Sequence, residues 1–224
     1  MPLGFDLKAY KQQFIELSRS CEALSFGSFT LKSGRNSPYF FNAGKFSSGA
    51  SLSEVGRCYA QGIVDSGIRF DMLLGPAYKG IPLVTATSIA LSEEHNINVP
   101  IAYNRKEQKT HGEGGVLVGS PLIGRVLVVD DVITAGTAIR ETLRLIFDAK
   151  ADLAGAAVGI DREERGIGDT SAVQEIEKDF KTNVLSMVGL GDLVNYLENT
   201  ETKDKKYLLE MQGYRARYGV TKNP

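Results

Sequence analysis

The apolar positions along the chain change repeatedly between helical spacing and short unbroken runs. Helical spacing predicts four amphipathic helices. They cover residues 7–21, 52–65, 81–94 and 138–147. Short runs of apolar residues predict four buried strands at residues 72–74, 99–103, 126–129 and 153–160. Because helices and strands alternate, the pattern predicts an α/β fold with a central, mostly parallel sheet flanked by helices.

The two ends of the chain depart from this alternation. Residues 26–42 read as two extended segments around a polar turn, which predicts a hairpin. With the first helix, this hairpin would form a small N-terminal cap over about residues 1–45. We expect a core over about 46–200, within one domain that covers residues 1–224. A terminal helix is predicted at 207–218. It would pack either over the cap, to which the C-terminal segment would then contribute, or over a partner subunit.

Composition limits the classes of protein that the chain can belong to. With 224 residues, of which 42% are hydrophobic, it can form one sizeable α/β domain and no second catalytic domain. The net charge of −1 offers no general field for nucleic acid, so positive charge must act locally. No apolar run reaches the roughly 20 residues that cross a bilayer, so a cytoplasmic location is expected. Cys21 and Cys58 show no metal-ligand spacing and are expected to be reduced thiols.

Residues 126–138 combine a buried strand, two acids, a turn of small residues and the start of a helix. In α/β units this turn offers unpaired backbone N–H groups and a helix dipole to an anion such as a phosphate. Asp130 and Asp131 would repel that anion. They are better suited to accept hydrogen bonds from sugar hydroxyls, or to hold a magnesium ion through its waters. The alternative is an ordinary acidic strand end followed by a helix cap.

This segment resembles the phosphoribosyl diphosphate signature of type I phosphoribosyltransferases: an apolar run, two acids, two variable positions, Thr, a small residue, Gly and Thr. Every position matches. Four further blocks are similar to the orotate phosphoribosyltransferase family, at residues 29–42, 75–81, 105–115 and 161–166. Thr110 is a small departure, since many relatives carry an acid there.

The resemblance implies the type I phosphoribosyltransferase fold, with the cap as its hood subdomain. It also implies transfer of phosphoribose from 5-phosphoribosyl 1-diphosphate to orotate, giving orotidine 5'-monophosphate and pyrophosphate in de novo UMP synthesis. Magnesium would be the cofactor, held mainly by substrate and water with no direct protein ligand. A homodimer that shares its active sites across the interface is expected, with no nucleic-acid or membrane partner.

Several residues are assigned to the sugar diphosphate by resemblance. Asp130 and Asp131 would contact the ribose hydroxyls. The turn that cradles the 5-phosphate would comprise Val132, Ile133, Thr134, Ala135, Gly136, Thr137 and Ala138. Tyr78 and Lys79 would contact the leaving pyrophosphate, although a plain turn is the alternative there. Lys32, at the tip of the cap hairpin, would be a further contact.

Residues 105–115, here called the basic segment, carry Arg105, Lys106, Lys109 and His111 without helical or strand periodicity. We interpret the segment as a mobile loop hinged at Gly112, Gly114 and Gly115. Its cations would contact the diphosphate, stabilise the leaving oxygens and exclude water as the loop closes. By resemblance the catalytic residues are Lys109, Arg105 and His111, together with Asp130 and Asp131. The alternative is a solvated charge run.

Orotate is a planar pyrimidine with a carboxylate, so an aromatic wall, backbone donors and a cation would recognise it. By resemblance Phe40 and Phe41 form the wall, Arg162 is the cation and Thr134 lies near the ring. The alternatives are two core phenylalanines, and a surface ion pair of Arg162 with Glu163 or Glu164.

Two other functions would use the same phosphoribosyl diphosphate signature. The same transfer to another base, a purine or uracil, is disfavoured by the context of Phe40, Phe41 and Arg162. A regulator that senses phosphoribosyl diphosphate and binds nucleic acid should carry a basic DNA-binding segment, and none is visible.

Overall fold

Eight strands and seven α-helices are present in the computed structural model, which describes residues 7–109, 115–133, 137–166 and 168–220. For residues 108, 109, 137 and 138 only the backbone is described. The strands are β1 (Leu24–Thr30), β2 (Asn36–Phe41), β3 (Met72–Gly75), β4 (Ile101–Lys109), β5 (Gly115–Gly119), β6 (Arg125–Val132), β7 (Asp152–Asp161) and β8 (Val184–Gly189). The helices are α1 (Ala9–Ser20), α2 (Gly49–Ser66), α3 (Gly80–His95), α4 (Thr137–Asp148), α5 (Ala172–Phe180), α6 (Leu190–Asn199) and α7 (Leu208–Tyr218).

Six of the strands form the central sheet, in the order β5-β4-β3-β6-β7-β8. Neighbouring strands from β4 to β8 are parallel, and only the edge strand β5 runs antiparallel, against β4. The prediction of a mostly parallel sheet flanked by helices is therefore confirmed.

The position of β6 in the sheet, covered on both faces, explains why its apolar run is unbroken. Leu127 and Val129 belong to the apolar cluster under α1, α2 and α3. Val126 and Val128 belong to a second cluster, under α4 and α5 on the opposite face of the sheet. Because successive side chains of a strand alternate between faces, a strand covered on both sides needs an apolar residue at every position.

The basic segment was predicted to be a loop, and for residues 105–109 this is wrong. The strand β4 continues through Lys109, whose backbone pairs with Gly115 of β5. Residues 110–114 lie outside the described residues. A ribbon at the sheet edge is held by backbone hydrogen bonds, so it can form from a polar sequence that has no apolar alternation.

Four further elements, β5, α5, β8 and α6, were not predicted. The sequence did contain a signal for α5. The Ser171 hydroxyl accepts a hydrogen bond from the Gln174 N–H, and the Gln174 side chain accepts one from the Ser171 N–H. This capping box marks the start of a helix.

The cap hairpin and the C-terminal helix are in direct contact. The strands β1 and β2 pair antiparallel, as predicted, with an irregular register between Phe26 and Phe29. The terminal helix predicted at 207–218 is α7, and its Tyr214 ring meets Tyr39 of β2 edge to face at 6.3 Å. Of the two predicted positions for this helix, the one over the cap is therefore present.

Both cysteines are free thiols. Burial raises the pKa of Cys58 to about 12, so this side chain remains a thiol at neutral pH. Among the described residues, no helix has the length and apolar character needed to cross a membrane.

Candidate active site

The two acids of the signature lie at the carboxyl end of β6. The strand continues through Asp130 and Asp131 to Val132, beyond the predicted end at residue 129. The N–H groups of Asp131 and Val132 donate to the carboxylates of the residues before them, at 2.8 and 2.9 Å. The Tyr59 hydroxyl of α2 donates to the Asp130 carbonyl at 2.8 Å. These bonds hold the strand end and both acids in place.

Lys79, in the turn between β3 and α3, contacts one of these two acids. Its Nζ lies 2.8 Å from the Asp131 carboxylate, which is 11% exposed. Burial and, after it, the charge of Asp131 raise the pKa of Asp130 above its usual range, while Lys79 opposes part of this shift. A nearby cation or hydroxyl donors would therefore stabilise the charged form of Asp130.

The turn between β3 and α3 has room for no side chain at its first glycine. A Cβ on Gly75 would overlap the Gly80 carbonyl oxygen and would lie 2.5 Å from Val84 Cγ1. The absence of a side chain at Gly75 lets the backbone of this turn pass close to the start of α3. A turn of this kind can bring its own N–H groups against an anion.

Gly75→Ala tests the importance of this close approach. We expect overpacking of about 1–3 kcal/mol, which for a chain of this size lowers Tm by roughly 3–10 °C. Gly49→Ala is the matched control, because a Cβ on Gly49 meets no atom within 4 Å. Thermal unfolding of both variants checks this. Equal melting temperatures for Gly75→Ala and the control would contradict the assignment.

The strand β4 is tied to the same turn. The Ala77 N–H donates to the Asn104 side-chain oxygen at 2.9 Å. Lys106 Nζ lies 5.0 Å from the centre of the Tyr78 ring, which is 65% exposed. Two of the predicted diphosphate contacts, Tyr78 and Lys106, are therefore adjacent. Within the described residues, Lys106 of the basic segment and Lys79 of the β3–α3 turn supply positive charge at this edge.

Arg162 follows β7, whose Ile160 pairs with Val132 at the end of β6. Its Nε lies 2.7 Å from Glu164 Oε1, and its Nη2 lies 3.0 Å from the Ser37 hydroxyl of β2. The guanidinium also lies 4.3 Å above the Tyr39 ring.

Arg162 therefore forms an ion pair with Glu164, one of the two partners named in the alternative interpretation. The pair is not on the surface, because the two side chains are only 17% and 11% exposed. Burial of this kind requires that each charge has partners.

Phe40 and Phe41 point to opposite faces of the cap hairpin. Phe41 lies against Phe14 and Phe46 of the core, on the same strand face as Tyr39. Phe40 is 44% exposed, and the centre of its ring lies 5.6 Å from the centre of the Phe29 ring. A planar base cannot lie on both rings at once, so one aromatic wall made from both side chains does not fit this geometry. Contact of either residue with the base stays a prediction.

Several predicted site residues have no described side chain. Thr134, Ala135, Gly136 and His111 lie outside the described residues, as do Gly112 and Gly114. For Lys109, Thr137 and Ala138 only the backbone is described. Ile133 is buried and Val132 half-buried at the end of β6, and Lys32 is exposed in the turn of the cap hairpin. Arg105 is half-buried, and its Nη1 has no hydrogen-bond partner in the part of the chain that the structure describes.

Sequence reasoning missed the residues that support the site. Tyr59 looks like any other core position of an amphipathic helix. Asn104, a polar residue directly before the basic segment, was a signal that could have been used. The contacts of Ser37 and Tyr214 with Arg162, at 3.0 and 3.4 Å, have no local signal, because these residues lie 125 and 52 positions away in the chain.

The acids fit a loosely held magnesium ion better than a protein cage. No group of three or more potential metal ligands occurs among the described residues. Asp130 and Asp131 supply the carboxylate oxygens that magnesium prefers, and this ion usually keeps several waters. Since Lys79 already neutralises Asp131, most ligands would have to come from water or from a bound phosphate compound.

The chain is similar to known proteins in both sequence and structure. Residues 47–191 match the family model of the phosphoribosyl transferase domain. The orotate phosphoribosyltransferase of Vibrio cholerae is 56% identical over 214 residues, which cover 96% of this chain and 100% of that protein.

Two solved structures extend the comparison. The crystal structure of orotate phosphoribosyltransferase from Francisella tularensis superimposes with a TM-score of 0.83 at 42% identity, and covers 92% of this chain and 99% of that one. UMP synthase of Leishmania donovani shares the fold, with a TM-score of 0.70 at 24% identity over 94% of this chain and 43% of that one.

Proposed function

The chain belongs to the orotate phosphoribosyltransferase family, and we propose that it transfers phosphoribose from 5-phosphoribosyl 1-diphosphate to N1 of orotate. The N1–C1 bond forms while the C1–O bond breaks, and the electron pair of that bond leaves with pyrophosphate. N1 loses its proton, and C1 inverts. The product is orotidine 5'-monophosphate, an intermediate of UMP synthesis.

Binding of the sugar is assigned to the end of β6. Asp130 and Asp131 accept hydrogen bonds from the ribose hydroxyls, and the turn from Val132 to Ala138 surrounds the 5-phosphate. The ordered carboxylates and the Lys79 contact at 2.8 Å support this assignment. The raised pKa of Asp130 fits it as well, because a bound ribose brings the hydroxyl donors that its charged form lacks.

Stabilisation of the leaving group is assigned to cations. The transition state at a sugar C1 resembles an oxocarbenium ion, while negative charge grows on the departing diphosphate. Lys79, Lys106 and Arg105 lie on or beside the β3–α3 turn and supply positive charge, and Lys109 and His111 complete the set. Positioned cations of this kind stabilise the transition state without a covalent step.

The choice of orotate as acceptor depends on Arg162, and its placement is the observation that carries the proposal. Burial leaves it 17% exposed, and its Nη1 has no hydrogen-bond partner among the described residues. A half-buried guanidinium with one unpaired nitrogen suits a carboxylate. Uracil and hypoxanthine have no carboxylate to offer.

Magnesium is proposed as the cofactor, next to Asp130 and Asp131. It would supply positive charge to the diphosphate when bound. The protein would hold it mainly through its waters and through substrate oxygens. The two carboxylates, with one already paired to Lys79, support this weak mode of attachment.

A homodimer with shared sites is also proposed. The strands β4 and β5 carry the basic segment at one edge of the sheet, with β5 outermost. A ribbon at an edge can reach a neighbouring subunit more readily than one in the middle of the sheet. The cytoplasmic location stays a prediction from the sequence.

The first test mixes the purified protein with orotate, the sugar diphosphate and magnesium, and follows the ultraviolet absorbance of orotate. Uracil and hypoxanthine run in parallel, and a further sample replaces magnesium with a chelator. We expect turnover with orotate alone, and none with the chelator. Turnover of another base, or binding of the sugar diphosphate without turnover, would contradict the proposal and favour one of the two other functions.

A further inference from the structure

Two arginines share one carboxylate beside the proposed orotate site. Arg162 Nη2 lies 2.6 Å from Glu164 Oε1, and Arg35 Nη1 lies 3.4 Å from Glu164 Oε2. The three side chains are between 11% and 27% exposed, so water screens them only in part. The group therefore carries one unit of positive charge that Glu164 does not balance.

The geometry of Arg162 shows where that charge is available. Its Nε and Nη2 are engaged by Glu164, and Nη2 also contacts Ser37 at 3.0 Å. The ring of Tyr39 supports one face of the guanidinium. Within the described residues, Nη1 makes no hydrogen bond and is the side left for a ligand.

Arg35 is itself held from two other directions. It lies in the turn of the cap hairpin, where its carbonyl accepts a hydrogen bond from the Leu31 N–H at 2.9 Å. Its Nη2 donates to the Arg165 carbonyl at 2.9 Å, and its guanidinium lies 5.1 Å from the Tyr218 ring. Tyr218 ends α7, so the cap, the segment after β7 and the C-terminal helix meet at Arg35.

The two other acids of this segment have contacts of their own. The Asp161 carboxylate accepts the Glu163 N–H at 2.9 Å, and the Glu163 carboxylate accepts the Gly191 N–H at the start of α6 at 2.9 Å. Glu164 is the acid that pairs directly with Arg162, at 2.6 Å, and it lowers the charge that Arg162 presents.

We propose that Arg35 is a positioning residue for recognition of the acidic base: by pairing with Glu164, it leaves the charge of Arg162 available to the orotate carboxylate. This inference rests on the proposed function. Without Arg35, Glu164 would neutralise Arg162 completely, and the orotate carboxylate would meet a pair with no net charge. With Glu164 also removed, the loss of Arg35 would no longer matter.

A double-mutant cycle tests this coupling with Arg35→Gln, Glu164→Gln and the double variant. We expect Arg35→Gln to raise the KM for orotate about tenfold and to leave the KM for the sugar diphosphate within about twofold. The KM for orotate of the double variant should lie within about twofold of that of Glu164→Gln alone. A purely structural role of Arg35 would produce no such rescue.

Arg125→Gln is the matched control, because it removes an exposed arginine paired with Asp71 far from this group. Its KM values should equal those of the wild type. Independent effects of Arg35 and Glu164 that simply multiply would overturn the inference, as would equal changes in the KM of both substrates. If the wild type itself does not turn over orotate, the proposed function fails, and this is seen before any variant is measured.

Discussion

Arg162→Ala is expected to raise the KM for orotate about 100-fold, because loss of one partner of a buried, hydrogen-bonded charge pair costs about 2–5 kcal/mol. The variant removes the cation that would bind the carboxylate of the base. It also leaves Glu164, which is 11% exposed, without its closest partner, so that orotate meets the Arg35–Glu164 pair, which has no net charge, where it met a positive charge. Steady-state kinetics at saturating sugar diphosphate measure this effect.

The same variant should leave the KM for the sugar diphosphate nearly unchanged, since the phosphoribosyl contacts are assigned to other elements. Arg140→Ala is a suitable control, because Arg140 pairs with Asp179 at an exposed position on the opposite face of the sheet. A KM for orotate that rises less than about threefold, below the cost of a typical hydrogen bond to a charged group, would rule out Arg162 as the carboxylate contact.

Lys109→Ala is expected to lower kcat by about 100- to 1000-fold, the usual cost of removing one group that stabilises transition-state charge. Orotate affinity should change little, because the lysine is assigned to the diphosphate. The backbone of Lys109 ends β4, opposite Gly115, so truncation of its side chain leaves the ribbon pairing intact. Lys178→Ala, an exposed lysine in α5, controls for the loss of one positive charge.

A mixture of two impaired variants, assayed at an orotate concentration well below the raised KM of Arg162→Ala, then tests whether Lys109 acts in the neighbouring subunit. In a hybrid dimer of Lys109→Ala and Arg162→Ala, a shared site would combine an intact lysine from one protomer with an intact arginine from the other. Activity should therefore reappear on mixing and subunit exchange. Turnover of Lys109→Ala close to that of the wild type would contradict the catalytic role. A hybrid that stays inactive would place each basic segment over its own subunit's site.

The site illustrates why some of its parts were predictable. Asp130 and Asp131 follow a buried strand and precede a helix, and these local features alone direct them to the carboxyl edge of a parallel sheet. The β3–α3 turn with Lys79 follows the same rule. Lys79 follows β3, and Asp131 lies at the end of β6. Because β3 and β6 are neighbours in the sheet, the contact between Lys79 and Asp131 is a consequence of the strand order.

Other features had no local signal. The strand conformation of residues 105–109 comes from pairing with β5, and a polar ribbon has no periodicity to reveal it. The opposite orientation of Phe40 and Phe41 depends on their being in a strand whose two faces meet different surroundings. The support of Arg162 comes from two distant elements, β2 and α7, that fold over the end of β7.

The local sequence determines the order of strands, acids, turns and helices, because backbone preference and side-chain periodicity act over a few positions. That is why the α/β fold, the family and the placement of Asp130 and Asp131 at the carboxyl end of a strand could be predicted from the sequence. The charge around Arg162 depends instead on Glu164 and on Arg35, 129 residues from Glu164 in the chain. Electrostatic and packing interactions depend on distance in space, and only the folded chain brings these three side chains within a few ångströms of one another.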